Sequence, residues 1–257
     1  MRIDLHTHCK WSKQSELSLH YLKDMLTHAS RHLDVMALTE HFDTLNFERI
    51  YDELEQLAVY EDGHFTYSGL IILPGIEVDV AEGGHIVVIG ELKAIRKLSR
   101  ALAQHREPST FIGLARLLQL AHRLDCVCIG AHPFREENRL SHIAHELLRE
   151  LDGLDLNGRD LYKYGLEMEQ RVKELAEQLG LPIIAGSDTH HYEQYGSVVS
   201  EGEGSVRNVE ELREMLRAGS LRYRIAEDYA AKVQRAEQQQ KLVKQAGHYE
   251  AKVETVS

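Results

Sequence analysis

Apolar positions recur along this chain in two rhythms, and the rhythms take turns. Short runs rich in β-branched and other apolar residues, bounded by Gly, Pro, Asp or Asn, read as strands over residues 2–5, 33–39, 70–78, 85–89, 126–131, 154–156 and 181–185. Between them apolar residues fall three and four apart, the spacing of a helix with one buried face. Leu19, Leu22, Met25, Leu26 and Ala29 predict a helix over 16–31, and Phe47, Ile50, Leu54 and Leu57 predict another over 46–60. Further helices are expected over 92–105, 111–124, 140–151 and 161–179, the last stopped by Gly180. Strands alternating with helices across short connections argue for an α/β architecture of parallel strands and crossover helices.

The polar residues then choose between a closed barrel and an open, doubly wound sheet. His6 and His8, two apart, share one side of an extended strand and can close on one metal ion. His8, His41, Glu77, His132, Asp188 and His190 all stand at or just beyond the C-terminal ends of expected strands. In a barrel those ends converge on one mouth, whereas an open sheet spreads them along an edge. Convergence favours the barrel, and imidazoles mixed with carboxylates suit hard and borderline divalent ions. His20, His28, His32, His64, His105, His122, His142, His145 and His248 read as ordinary surface or core residues.

Composition narrows the partners. The 257 residues, 43% of them hydrophobic, fit one large domain, and no repeat or glycine-rich linker divides them. Lys plus Arg number 30 against 41 Asp plus Glu, and the net charge of -11 opposes a nucleic-acid backbone. A small phosphorylated substrate stays open, because bound metals would dominate the local charge. The opening MRIDLHTH lacks the order of a secretory leader and no apolar run nears membrane-spanning length, so a cytoplasmic location is expected. Of three cysteines, Cys126 and Cys128 alternate with Val127 and Ile129 and read as buried structural thiols, while Cys9 reads as a bystander beside the histidine pair. From Glu227 onward Ala, Gln, Lys and Glu dominate over a weak stripe at Tyr229, Val233 and Ala236. The expected division is a catalytic barrel over 1–226 and a helical tail over 227–257, either solvated or packed on the barrel or a second subunit.

Six motifs in order, DLHTH at 4–8, LTEH at 38–41, GIEVD at 75–79, GGHIVVIG at 83–90, AHPFR at 131–135 and AGSDTHH at 185–191, resemble those of the PHP (polymerase and histidinol phosphatase) superfamily of metal-dependent phosphoesterases. The resemblance implies a distorted (β/α)7 TIM-like barrel of the PHP type, holding two or three divalent ions, with manganese, iron or zinc as usual occupants. Carried onto this sequence, it implies that His6, His8, Glu77 and Asp188 bind one metal. Glu77 would bridge to a second held by His85 and His132, and His41 with His190 would belong to a third position. Where many members carry a further histidine or acidic residue, this chain has Lys13 and Gln14. An ammonium cannot ligate and an amide oxygen is a weak zinc ligand. The third ion is therefore replaced by water, rescued by Glu40, or lost, with Lys13 then reaching substrate phosphate.

The implied chemistry is attack of a metal-activated hydroxide on phosphorus, with Glu77, Asp188 and His190 at the reacting centre. Arg135 and Arg159 are expected to grip the phosphate, and His190 or His191 to meet the substrate and protonate its leaving oxygen. A small phosphomonoester is the first expectation, and phosphodiesters or nucleotide ends are the alternative. An amidohydrolase-like metal hydrolase is a second alternative, since a paired histidine after a first barrel strand is shared by that chemistry.

Overall fold

The computed structural model describes residues 1–249. In chain order the strands are β1 (Arg2–Thr7), β2 (Val35–Leu38), β3 (Val59–Glu61), β4 (His64–Tyr67), β5 (Leu70–Asp79), β6 (His85–Ile89), β7 (Val127–Ala131), β8 (Gly153–Asn157), β9 (Ile183–Gly186), β10 (Val198–Glu201) and β11 (Arg222–Ile225). The α-helices are α1 (Leu19–His32), α2 (Phe47–Leu57), α3 (Leu92–Ala101), α4 (Leu114–Arg123), α5 (His145–Leu148), α6 (Gly158–Tyr164), α7 (Glu167–Leu179), α8 (Val209–Arg217) and α9 (Tyr229–Ala246).

The sheet runs β11-β10-β1-β2-β5-β6-β7-β8-β9 and curls into a nearly closed, distorted TIM-like barrel. Its seam is closed at one end only. There the His8 N–H donates to the Thr189 carbonyl at 3.0 Å and the Asp188 N–H to the His6 carbonyl at 2.8 Å. Lower down, β10 lies antiparallel on β1, pairing Ile3 with Ser200, and the Ser200 hydroxyl accepts the Ala185 N–H at 2.9 Å. This wedge between the first and last barrel strands is what distorts the barrel.

Among the seven strands expected from the sequence, one breaks the parallel rule. β6 pairs antiparallel with both β5 and β7, because Gly83 and Gly84, at φ 88° and 98°, turn the chain straight back. The reversal puts His85 opposite Asp79 and Val87 opposite Glu77, so the first residue of β6 stands at the same mouth as the last residues of its neighbours. Below the mouth, Val87, Ile89, Ile129 and Ile184 fill the barrel, and Val206, Leu212 and Leu216 plug its other end.

Other expectations shift locally. The helix expected over 46–60 stops at Leu57, and a hairpin follows in which Asp62 and Gly63, both at positive φ, link β3 to β4. Gly165, at φ 85°, splits the helix expected over 161–179 into α6 and α7. Only His145–Leu148 of the stretch 140–151 is helical, since Leu140 turns inward against Gly84 and Gly130. β10 and β11 lie outside the expected strands, and β11 alternates exposed Arg222 and Arg224 with half-buried Tyr223 and Ile225. Of the tail, α9 buries Val233, Ala236 and Gln240, and the Gln240 amide donates to the Trp11 carbonyl at 2.8 Å. Residues 250–257 lie outside the described residues. Among the described residues no helix is long and apolar enough to cross a membrane.

Candidate metal centre

The histidine pair reaches the mouth through a flaw in its strand. Simple alternation from Ile3 and Leu5, which face the barrel interior, would send His6 and His8 outward. The register of β1 against β2 shifts between Asp4 and Thr7, and such an irregularity re-aims the side chains beyond it. Both imidazoles therefore turn onto Glu77. Two other mouth residues occupy left-handed backbone, His132 at φ 31° and Asp188 at φ 53°, a strained conformation that the surrounding contacts must hold.

Glu77 is fully buried and ringed by five imidazoles. Its Oε1 lies 2.8 Å from His85 Nδ1, 3.2 Å from His132 Nε2 and 3.3 Å from His6 Nε2. Its Oε2 lies 2.8 Å from His41 Nδ1 and 3.4 Å from His8 Nε2. Asp188 Oδ1 stands 3.1 Å from His8 Nε2 and 3.8 Å from His6 Nε2. His190 stacks on His8 with ring centres 4.2 Å apart, and its Nδ1 meets the Asp188 carbonyl oxygen at 3.1 Å. His6, His8, His41, Glu77, His85, His132, Asp188 and His190 thus share one cluster.

A second layer of carboxylates orients the imidazoles. Asp155 Oδ2 meets His6 Nδ1 at 2.9 Å, Glu40 Oε1 meets His8 Nδ1 at 3.3 Å, and Asp79 Oδ1 meets His85 Nε2 at 2.9 Å. Such partners fix ring orientation and raise the basicity of a metal-binding imidazole. Gly186 is needed here, since a Cβ would stand 2.5 Å from Asp155 Oδ1 and 2.6 Å from His6 Cβ. Glu40 therefore orients His8 rather than completing a third position, and its other oxygen accepts the Cys9 and Lys10 N–H groups. Asp155 and Asp79 were missed as functional residues. The available signal was a carboxylate flanked by Leu154 and Leu156 inside an apolar strand.

Burial opposes ionisation of every group here, and the neighbours decide the outcome. Burial would raise the Glu77 carboxyl, but His41, His85 and His6 hold it well below the usual carboxylate range. Asp188 is likewise held low despite burial, chiefly by Arg135 and His6. The carboxylates around His8 and His85 overcome burial and lift each ring to about 9. Burial and the charge of His8 push His190 well below the ordinary imidazole range, leaving a neutral ring that suits lone-pair donation better than proton donation.

The remaining expected residues lie as follows. Arg135 is spent within the protein, with Nε donating to Asp160 Oδ1 at 2.8 Å and Nη2 to Asp188 Oδ2 at 2.8 Å. Arg159 is looser, with Nη1 3.8 Å from Asp188 Oδ2, Nε 3.8 Å from Glu237 Oε1 and a side chain 33% exposed. Lys13 Nζ binds Asp43 at 3.0 Å and Asp79 at 3.1 Å. His191 is not brought to Glu77: it is buried against Tyr192, ring centres 4.2 Å apart, and its Nδ1 caps a short 3-10 turn.

Several atoms in the cluster are close but misaligned for hydrogen bonding. His6 Nε2, His8 Nε2, His41 Nδ1 and Glu77 Oε2 are buried without a hydrogen-bond partner among the described residues. Unpaired buried polar atoms are costly, and here they face one another across interatomic gaps that a divalent ion would bridge. The groups His6, His8, Glu77 and His41, Glu77, His85 each bring ligand atoms within 4.8 Å of one another, as do His6, His132, Asp188 and His8, His41, His190. The donor set fits divalent metal.

Residues 169–221 match the model of a family described as PHP-associated. No curated protein matches the chain in sequence. Among solved structures the chain is similar to PsfC from Pseudomonas syringae PB-5123, at 23% identity and a TM-score of 0.77 over 94% of this chain and 98% of that one. It is similar to the lesion-specific endonuclease Q of Pyrococcus furiosus, at 19% identity and a TM-score of 0.63 over 84% of this chain and 56% of that one. An amidohydrolase from Chromobacterium violaceum, solved with sulfate and no metal, shares 16% identity and a TM-score of 0.56 over 83% of this chain and 96% of that one. At these identities the likenesses concern the fold.

Proposed function

We propose that this chain is a member of the PHP superfamily and a metal-dependent phosphoesterase acting first on small phosphomonoesters. The observation behind this reading is the buried Glu77 carboxylate, shared by five imidazoles with unpaired atoms around it. Divalent ions bound there supply positive charge for the phosphoryl oxygens and a water acidified enough to attack phosphorus.

His6, His8, Glu77 and Asp188 would hold one ion, and Glu77, His85 and His132 a second. The group His8, His41 and His190 contains no carboxylate, and the Lys13 ammonium already stands beside it, so a third ion would be held most weakly. Asp155, Glu40 and Asp79 fix the rings. Arg135 holds Asp188 in its left-handed conformation, while the more exposed Arg159 receives the phosphate. The net charge of -11 keeps long polyanions at a distance.

The test is turnover by the full chain loaded with Mn²⁺ on a phosphomonoester panel, on oligonucleotides and on cyclic amides. Phosphate release from monoesters is expected. Release of nucleotides alone would move the reading to a phosphodiesterase, and amide hydrolysis alone to an amidohydrolase.

A further inference from the structure

We propose that His122, Cys128 and Asp152 form a separate binding site for one zinc-like divalent ion, on the helix-facing side of the barrel wall. The site lies near the N-terminal ends of β7 and β8, away from the mouth. His122 comes from the last turn of α4, Cys128 from β7, and Asp152 from the residue just before β8. One ligand atom from each lies within 4.8 Å of the others.

Two of the three ligands are already locked together. The Cys128 N–H donates to Asp152 Oδ2 at 2.8 Å, and the Asp152 N–H returns to the Cys128 carbonyl at 2.7 Å. The reciprocal pair fixes the carboxylate beside the thiol and leaves Oδ1 for a ligand. Cys128 is 0% exposed, and its Sγ has no hydrogen-bond partner among the described residues. It points into the layer between β7 and α4, where the exposed His122 can close over it. Arg213, a cation whose charge acts on Cys128, is itself engaged by Glu210 and the Asp125 carbonyl.

The donor chemistry selects the ion. Thiolate, imidazole and carboxylate together suit Zn²⁺ or Co²⁺, whereas Mg²⁺ and Mn²⁺ take oxygen-rich sites. Burial and then the Asp152 carboxylate push the Cys128 thiol well above its ordinary range, so the free site carries S–H. Binding breaks that S–H bond, forms a metal–sulfur bond and releases the proton to solvent. Three protein ligands leave a fourth position for water. The bound ion would pin α4 to β7 and β8.

Cobalt separates this site from the mouth, where no proposed ligand is a sulfur. The full chain is titrated with Co²⁺, and the sulfur-to-cobalt charge-transfer band in the near ultraviolet is followed. Wild type and Cys9→Ser are expected to develop the band at one equivalent of thiolate-bound cobalt. His122→Ala, a change at an exposed position, should weaken the binding read from that band by at least about tenfold. Cys128→Ser should abolish the band, and dialysis against Zn²⁺ should leave both variants one ion short of wild type. No band in wild type, a band unchanged by His122→Ala, or a band lost in Cys9→Ser alone overturns the proposal.

Discussion

The two ends of this barrel are built from the same strands under opposite rules. Toward the plugged end, Val87, Ile129 and Ile184 meet Leu212 and Leu216, and burial of apolar surface is reason enough for the packing. Toward the mouth, Glu77, Asp155 and Asp188 are buried just as completely. Sequestered carboxylates cost several kcal/mol unless partners compensate them, so that end depends on what it pairs with or binds. One end holds the fold and the other stores chemistry.

The sharpest way to break this contrast is a pair of substitutions. Glu77→Ala is expected to remove phosphoesterase turnover by about a thousandfold or more while the chain stays folded, since the imidazoles that its carboxylate keeps protonated can lose their protons once it is gone. Leu212→Ala at the plug should do the reverse, lowering stability by about 2–5 kcal/mol with kcat of the folded enzyme preserved. Thermal unfolding and turnover measured on both variants check this. Unfolding of Glu77→Ala, or lost kcat in Leu212→Ala, would mean that the two ends are not independent.

A smaller effect is expected one layer behind the metal. Asp155→Asn removes the charge that orients His6, and metal affinity should fall about 10–100-fold by calorimetry while far-ultraviolet circular dichroism is unchanged. A pH series on the unsubstituted chain sharpens the electrostatics. His8 and His85 are each lifted to about 9 in the metal-free protein, so below that pH both rings carry a proton that an incoming ion must displace. Affinity for Mn²⁺ should therefore rise with pH by up to about tenfold per unit for each ring, then level off near pH 9. An affinity flat between pH 7 and 9 would refute those shifts.

Much of the mouth was legible because its ligands stand where apolar strands end. His41, His132 and Asp188 could be placed by counting strand residues, and Glu77 by its neighbour Ile76. Three things were not. The irregularity in β1 leaves no mark in DLHTH, because the register against a neighbouring strand is a property of the pair. The reversal of β6 was written in Gly83 and Gly84, but a turn by itself does not say whether the next strand joins the barrel. Asp155 looked like an interruption of an apolar strand, since the residue that gives it meaning, His6, lies 149 positions away. The roles of the two arginines also depend on distant partners: Asp160 and Asp188 hold Arg135, whereas Glu237 of α9 flanks Arg159.

The wedge of β10 against β1 also sets a schedule for synthesis. β1 leaves the ribosome long before β10, and one of its edges is covered only when residues near Ser200 arrive. Until then the nascent chain offers an apolar edge containing Ile3 and Leu5 to any passing strand, the kind of exposure that chaperones shield. The long delay between those two segments makes closure of the seam a late, length-dependent event, and slowed elongation past residue 180 would prolong the period in which the chain aggregates.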